Sequence, residues 1–499
     1  MRGGLVEHWL AGVLLLGYAL LLLINAWRSR AETSTLTDYY VGGRRLSGWV
    51  VGVSFCATYA STNSYVGNAG KGYSLGAPWL LFPFFMLLFT WLSWTTVAPR
   101  LREFTARLDA LTLPDYLARR YESALVGQVA AAIVLFASVL YLVAIFKGAG
   151  VVLQLFLNVD YSVAVLVTLV VVVLYTAIGG FLSVARTDVA QGLFMLLGSG
   201  LVAYFVFSRA IELAHPADGW SILEDVRLAS SLEWNAGLPF AVLIGIFLSG
   251  SLKLLVDPRQ VSRFFALEDQ RALRRGMWVA MILVLLIQLG LFPVGVLAHL
   301  FFESVQDTDM IMPMLLQRSD VFPVWAGDIL LVAIISAAMS SMDSVLLVAA
   351  SVFSRDLLGV VENRGIVITR RAVVGLAGAS ALIALRPPAD IVTITIFSGS
   401  LYAACFLPAL LFSLHWTRGH AVAVVGSMAA GACALVLWLG SGMNALLHEV
   451  FVGLVASLGV YVGLSIWWPR PLPPAAELVA LDLERLAPDA RADHGDSDV

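Results

Sequence analysis

Long apolar runs separated by short hydrophilic links dominate this sequence. Most reach about 20 residues, the length at which an α-helix crosses the hydrocarbon core of a bilayer. Inside lipid, a chain must satisfy its backbone hydrogen bonds internally, and continuous apolar runs of this length do so as helices. We therefore predict an all-α polytopic membrane protein with about 13 transmembrane helices. The runs cover approximately residues 8–27, 47–72, 77–98, 127–157, 161–180, 188–208, 236–256, 276–302, 325–353, 371–386, 390–415, 420–441 and 446–468.

The composition supports a membrane protein and gives no indication of a soluble enzyme. Hydrophobic residues make up 60% of the chain and charged residues 13%, against about 25% charged residues in a typical soluble domain. The net charge of -3 gives no support for nucleic-acid binding, and the three cysteines form no metal-binding motif. We expect one transmembrane transporter domain over residues 1–469 and a disordered cytoplasmic tail over 470–499, which is too short for a catalytic domain.

The arginines indicate how the chain is oriented in the membrane. The links on one side of the predicted spans, together with the tail, contain 23 arginines, and those on the other side contain 5. Cytoplasmic loops carry the excess of positive charge. The count therefore predicts an N-terminus outside and a C-terminus in the cytoplasm, which agrees with an odd number of spans.

The most unusual apolar run contains the stretch Ala337–Ser344, which carries hydroxyls and one carboxylate. On a helix, Ala337, Ser340, Ser341 and Ser344 share one face, and Asp343 borders it. Oxygen ligands and a carboxylate suit a hard cation, and a lone acid is costly in lipid. The alternative is that small hydroxyl residues allow close helix packing.

Two spans show signs of interruption. The second span has a polar patch over Ala60–Ser64 followed by glycines, and the seventh has a similar weakness at Leu248–Ser251. Interrupted helices free backbone carbonyls for cations, and paired interruptions indicate a transporter binding site. Their spacing predicts two five-helix repeats of opposite orientation, over about 47–208 and 236–415. Ordinary packing of glycine and serine is the alternative.

All three lysines of the chain lie in apolar spans. We expect Lys71 and Lys253 to extend toward the ends of their spans, Lys253 in the direction of Asp257. Long apolar stretches flank Lys147, which favours a buried ion pair or a bound anionic group. Asp188 either complements a helix dipole or provides a cation ligand that faces the Ser/Asp face.

Three segments resemble the sodium:solute symporter family: Tyr175–Gln191, Leu113–Leu117 with Arg119-Arg120-Tyr121, and Ala337–Ser344. The resemblance covers nearly the whole chain. It implies a LeuT-like core of two inverted five-helix repeats, with one helix before it and two after. It also implies alternating access driven by a sodium gradient, and no enzymatic activity.

The resemblance implies two sets of sodium ligands. The principal set consists of the backbone carbonyls of Ala60, Asn63 and Ala337 and the hydroxyls of Ser340 and Ser341. A second set, found in some relatives, consists of Asp188, Ser340, Asp343 and Ser344. Asn63 replaces the usual apolar residue of the family, which a carbonyl ligand tolerates. Thr62 stands where some relatives have an acid.

The solute is expected near the membrane midplane. The expected contacts are Ser61, Thr62, Ser64, Gly67 and Lys147, with Tyr402 as a gate. Lysines in the membrane favour a carboxylate-bearing solute, such as a monocarboxylate, pantothenate or an amino acid, over a sugar. Sodium is the co-transported ion, and the bilayer is expected to be the inner membrane of a prokaryote, with no nucleic acid or obligate protein partner. The alternatives are a proton-coupled or cation-independent carrier of the same fold, or a membrane sensor built on it.

Overall fold

Helices account for nearly all of the architecture. The computed structural model describes residues 9–32, 35–214, 228, 232–233, 237–360 and 364–468, and these residues contain no β-strand. The first half comprises α1 (Trp9–Glu32), α2 (Leu36–Val41), α3 (Gly48–Tyr59), α4 (Asn68–Leu75), α5 (Phe82–Leu92), α6 (Ala98–Arg107), α7 (Leu113–Arg120), α8 (Ala124–Leu157) and α9 (Tyr161–Ala214). The second half comprises α10 (Phe240–Val256), α11 (Pro258–Phe265), α12 (Gln270–Leu297), α13 (Ile311–Leu316), α14 (Val324–Val352), α15 (Arg364–Ala384), α16 (Ile391–His415), α17 (Ala421–Gly440) and α18 (Glu449–Trp467).

Many of these helices are suited to a membrane. Among the described residues, 11 helices are long and apolar enough to cross one. Helix α9 is 54 residues long and leaves the helical conformation at Gly180, whose φ is 64°, so it divides into two parts there. The number of thirteen spans and the orientation of the chain stay predictions. The predicted tail over 470–499 lies outside the described residues.

The second predicted span is interrupted where the sequence indicated. Helix α3 ends at Tyr59, Ala60 is extended (φ -72°, ψ 120°), and a π-helical turn over Asn63–Gly67 leads into α4. Within the break, the Ser61 hydroxyl accepts the Asn63 N–H at 3.1 Å. Short polar side chains that bond to nearby backbone compete with the helix in this way. The polar patch therefore produces the break.

The seventh span is interrupted at a different place from the predicted one. Helix α10 runs without a break through Leu248–Ser251 and ends at Val256. Asp257 is extended and caps α11, in which Pro258 is the first residue. Proline has no N–H and disfavours helical conformation in the residue before it. The prediction of a break at Leu248–Ser251 was therefore wrong. The helix breaks at Asp257-Pro258 instead.

The small residues of α10 serve helix packing instead. The Ser249 hydroxyl donates to the Ile396 carbonyl at 2.6 Å and lies 2.9 Å from the Ser400 hydroxyl, both on α16. Small hydroxyl residues allow this close approach of neighbouring helices. They leave the helix intact because its own backbone bonds are kept.

Helix α14 occupies the centre of the protein, and most of its residues are buried. It packs against α3, α8, α9 and α15. Because α3 ends at the break around Ala60, the polar face of α14 lies opposite freed backbone groups. The fold thereby brings the two most polar stretches of the membrane interior together.

Candidate functional site

The first polar contact joins α14 to the break after α3. The Ser341 hydroxyl lies 3.3 Å from the Ala60 carbonyl oxygen and 3.4 Å from that of Thr58. Ala337 is buried one turn before Ser341 on the same helix. The carbonyl of Asn63, beyond the break, accepts the Asn68 N–H. A hydroxyl and a freed carbonyl, far apart in sequence, thus face each other as hard-cation ligands do.

Ser340 contacts a different partner from its neighbour Ser341. Its hydroxyl donates to Asp188 Oδ1 at 2.7 Å, and both residues are fully buried. Asp188 lies on α9, so the predicted contact between this acid and the Ser/Asp face of α14 is present. The carboxylate also accepts a hydrogen bond from the Ser54 hydroxyl on α3.

The third partner of Asp188 is Arg263, which sequence reasoning missed. Its guanidinium is 3.1 Å from Asp188 Oδ2 and within hydrogen-bonding distance of the hydroxyls of Ser54 (3.1 Å), Thr58 (2.7 Å) and Ser344 (2.6 Å). We call these four residues, Ser54, Thr58, Asp188 and Ser344, the Arg263 cage. The Arg263 side chain is 1% exposed. Arg263 is one of the 23 arginines assigned to the cytoplasmic side, whereas it lies inside the helical core.

Asp343 lies beside the Arg263 cage and has its own partners. The Tyr175 hydroxyl donates to its Oδ2 at 3.1 Å, and the Ser344 hydroxyl lies 3.3 Å from its Oδ1. The carboxylate is fully buried. The residues of the second implied sodium set are therefore close together, but a guanidinium already contacts two of them, Asp188 and Ser344.

A small central cavity lies next to the break between α3 and α4. Its free volume of about 20 Å³ holds roughly one water molecule. The polar residues that line it are Ser61, Asn63, Ser64, Asn68, Tyr141, Thr395 and Lys253, together with the phenol of Tyr59; the apolar ones include Phe82, Met86, Val392 and Ile396. A solute larger than water needs this cavity to widen.

The predicted solute contacts divide into two groups. Ser61 and Ser64 line the central cavity, whereas Thr62, Gly67, Lys147 and Tyr402 are not among its lining residues. Thr62 lies against Gly148 of α8, and Gly67 lies against Val392 of α16. The Tyr402 hydroxyl is 3.3 Å from the Ser138 hydroxyl and 3.4 Å from the Val134 carbonyl oxygen.

Two of the three lysines have carboxylate partners. Lys147 Nζ is 2.6 Å from Asp309 Oδ2 and 3.3 Å from the Ala389 carbonyl oxygen. Lys71 Nζ is 3.5 Å from Asp390 Oδ1. The first pair joins α8 to the turn that contains Asp309, and the second joins α4 to the N-cap of α16. The buried ion pair that the sequence offered as one alternative for Lys147 is therefore present.

Lys253 lines the central cavity and differs from the other two lysines. Within the part of the chain that the structure describes, its ammonium has no acidic side chain at salt-bridge distance. It lies 5.8 Å from the centre of the Tyr141 ring. Asp257, the partner expected from the sequence, pairs with Arg259 instead, at 2.9 Å between Arg259 Nε and Oδ1. That expectation was wrong because Arg259, at the start of α11, forms the ion pair with this carboxylate.

Asp309 belongs to a short turn over Thr308–Met310 that covers one side of the core. Its Oδ2 also accepts the Ile391 N–H at 3.2 Å, at the start of α16. Burial raises the pKa of Asp309, and the hydrogen bond from Lys147 opposes that rise. This carboxyl group therefore ties the turn to α8 and α16 at once.

Comparison with known proteins agrees with these features. The sequence profile of the sodium:solute symporter family matches residues 39–433. The osmoregulated proline transporter OpuE of Bacillus subtilis (strain 168) is 28% identical over 474 residues, covering 91% of this chain and 94% of the relative. The sodium/pantothenate symporter of Haemophilus influenzae is 27% identical over 443 residues, covering 87% and 91%.

A solved structure has the same fold. The substrate-bound, outward-open structure of a Na⁺-coupled sialic acid symporter superposes with a TM-score of 0.79 at 18% sequence identity. The match covers 93% of this chain and 98% of the other. This likeness confirms the LeuT-like, all-helical fold that the sequence predicted.

Proposed function

The chain belongs to the sodium:solute symporter family, and from that membership we propose that its solute is a small molecule bearing a carboxylate. As a member of this family it is a sodium-coupled carrier in the cytoplasmic membrane of a prokaryote and not an enzyme. The proposal adds a substrate class, the residues that bind it and the place where sodium binds.

Lys253 is the observation that carries the proposal. Its ammonium faces the central cavity without a carboxylate partner among the described residues, whereas Lys71 and Lys147 are paired. An unpaired charge inside a membrane protein is costly and indicates a functional site. A solute carboxylate supplies the missing negative charge. Both solutes named for the two relatives, proline and pantothenate, carry such a group.

The rest of the central cavity suits a solute that also donates hydrogen bonds. Asn68 is 3% exposed, and its side-chain amide oxygen, Oδ1, has no hydrogen-bond partner within the described chain. A buried acceptor without a partner costs free energy until a ligand satisfies it. An N–H or O–H group on the solute does so, with Ser61 and Ser64 close by. Amino acids and hydroxylated acids have both features.

For sodium we propose the principal set of ligands, the carbonyls of Ala60, Asn63 and Ala337 with the hydroxyls of Ser340 and Ser341. The approach of Ser341 to the Ala60 carbonyl supports it. The same break that provides Ala60 also provides Ser61 and Ser64 to the central cavity. Sodium and solute therefore contact the same interrupted segment, Ala60–Ser64, and each orders it on binding. Binding of either one then favours binding of the other.

The remaining predicted residues are proposed to act in the transport cycle. The Lys147–Asp309 and Lys71–Asp390 pairs close one side of the core, and the Arg355–Asp115 pair, at 3.0 Å, joins α7 to the segment after α14. Alternating access requires such contacts to break in turn. We keep Thr62, Gly67 and Tyr402 as positions that shape this movement.

The proposed topology follows from the same cycle. The N-terminus lies outside, the C-terminus lies in the cytoplasm, and thirteen spans cross the membrane. A single transporter domain covers 1–469, with repeats over about 47–208 and 236–415. Two inverted repeats of this kind produce inward-open and outward-open states around one central site.

A ligand screen tests the substrate class. Purified protein is heated with L-proline, pantothenate, lactate or glucose, and with prolinamide, in sodium or choline buffer at one pH. A ligand that binds only the folded state raises the melting temperature. We expect one of the carboxylates to raise the melting temperature in sodium buffer. Prolinamide and glucose should leave the melting temperature unchanged. Equal stabilisation by neutral compounds, or stabilisation by carboxylates without sodium, contradicts the proposal.

A further inference from the structure

We infer that the guanidinium of Arg263 takes the place of a second sodium ion in this carrier, so that the protein binds one sodium ion. The inference rests on the sodium coupling proposed above and adds the number of ions. It identifies Arg263 as a residue that determines the stoichiometry of coupling.

The Arg263 cage and the second implied sodium set share two residues, Asp188 and Ser344. In this structure both contact the guanidinium, Asp188 Oδ2 at 3.1 Å and Ser344 Oγ at 2.6 Å. Ser340, the third member of the set, donates to the other oxygen of Asp188. Two of the four residues that would surround a second sodium ion therefore already contact a cation that the chain itself supplies.

The Arg263 cage is assembled from three helices around a side chain from a fourth. Ser54 and Thr58 come from α3, Asp188 from α9 and Ser344 from α14, while Arg263 lies on α11. A fixed positive charge at this point repels a second cation strongly, because the interior screens charges poorly. Asp188 therefore accommodates either the guanidinium or a sodium ion, and not both.

Packing around α11 holds Arg263 in place. The Asp257 cap and Pro258 fix the start of the helix. Phe264, the next residue along, packs against Phe55 of α3 and Trp94, with ring centres 5.9 and 5.0 Å apart. Withdrawal of Arg263 would disturb these contacts and leave the buried Asp188 without an opposite charge, which is strongly unfavourable.

The neighbouring acid, Asp343, has hydrogen-bond partners other than Arg263. Asp343 accepts a hydrogen bond from the Tyr175 hydroxyl at 3.1 Å, and its other oxygen lies 3.3 Å from the Ser344 hydroxyl. Tyr175 is itself held by the Met339 carbonyl at 3.0 Å. The guanidinium is thus the partner of Asp188, the acid that the implied second site depends on.

Equilibrium binding of ²²Na⁺ to purified wild-type protein, without solute and at a fixed alkaline pH, tests the inference. We expect one ion per chain at saturation, and a Ser341→Ala variant that binds it roughly 10-fold more weakly or worse. Two ions per wild-type chain overturn the inference and leave sodium coupling standing. No bound sodium in the wild type overturns the proposed sodium coupling and this inference with it.

A variant at the cage gives the second arm of the test. Arg263→Gln removes the positive charge, and we expect it to bind two sodium ions per chain. The double variant Asp188→Asn with Arg263→Gln removes both charges and should return to one ion. An Arg263→Gln protein that is folded and still binds one ion overturns the inference. If that variant does not fold, the wild-type count decides alone.

Discussion

Replacing Lys253 by methionine is expected to weaken binding of the carboxylate solute by roughly 10- to 150-fold, the range that corresponds to about 1.5–3 kcal/mol for a hydrogen bond to a charged group. Methionine keeps the length of the side chain and removes its charge. Because the ammonium has no acidic partner among the described residues, its loss leaves no carboxylate unpaired in the free protein. The effect should therefore appear in binding and not in stability.

The matched control neutralises a different membrane lysine. Lys147→Met combined with Asp309→Asn removes both members of the buried pair, so that neither charge is left alone. Affinities for the carboxylate and for its carboxamide are measured by calorimetry in both proteins. Lys253→Met should abolish the preference for the carboxylate, whereas the control should keep it. If the two proteins lose affinity equally, or if Lys253→Met weakens both ligands alike, Lys253 does not bind the carboxylate.

Replacing Ser341 by alanine is expected to raise the sodium concentration for half-maximal binding by roughly 10- to 150-fold, again from the loss of one oxygen that contacts a charge. Its hydroxyl faces the Ala60 carbonyl across the break. Combining it with Ser340→Ala should weaken sodium further. Because Ser340 bonds to Asp188, that double variant also tests whether the two neighbouring serines act on one ion.

Ser351 provides the control for this series. It lies on the same helix α14, is buried, and donates to the Leu347 carbonyl one turn earlier at 2.7 Å. Ser351→Ala should leave sodium dependence unchanged. Sodium titrations followed by tryptophan fluorescence distinguish the variants without knowledge of the solute. Unchanged sodium affinity in Ser341→Ala, in a folded protein, would remove this residue from the sodium site.

The parts of the fold that depend on local pattern were accessible from the sequence. Apolar length predicts membrane helices, and the polar patch at Ala60–Ser64 predicts a break because short polar side chains compete with the helix for backbone hydrogen bonds. The contact of Asp188 with the polar face of α14 followed from acids and hydroxyls that each needed a partner. A polar group in lipid costs free energy unless it has a partner, so each of these groups predicts a contact from the sequence alone.

The break of the seventh span was missed for a tertiary reason. Ser249 resembles a weak point in a helix, yet its hydroxyl bonds across to α16. Asp257 and Pro258 carry the signal of a cap and a first helical residue, but they follow an apolar run and precede arginines, as a cytoplasmic loop does. A charge count that assigns every arginine to a loop cannot find Arg263 inside the core.

The roles of the lysines depend on partners distant in sequence. The apolar flanks of Lys147 predict either a buried ion pair or a bound anionic group, and its partner Asp309 comes from a turn after α12. Lys253 was expected to use the nearest acid, which Arg259 occupies. No local pattern reports which of several acids a cation reaches, and only the assembled helices show that Lys253 is the one facing the central cavity.

Uptake into proteoliposomes tests the central claim most directly. The protein is reconstituted with a carboxylate identified in the ligand screen, and accumulation is followed under an inward sodium gradient or an equal choline gradient at the same pH inside and outside. We predict concentrative uptake with sodium only, lost when the gradient is collapsed and strongly reduced in Lys253→Met. Equal accumulation in sodium-free buffer would contradict a sodium-coupled carboxylate carrier.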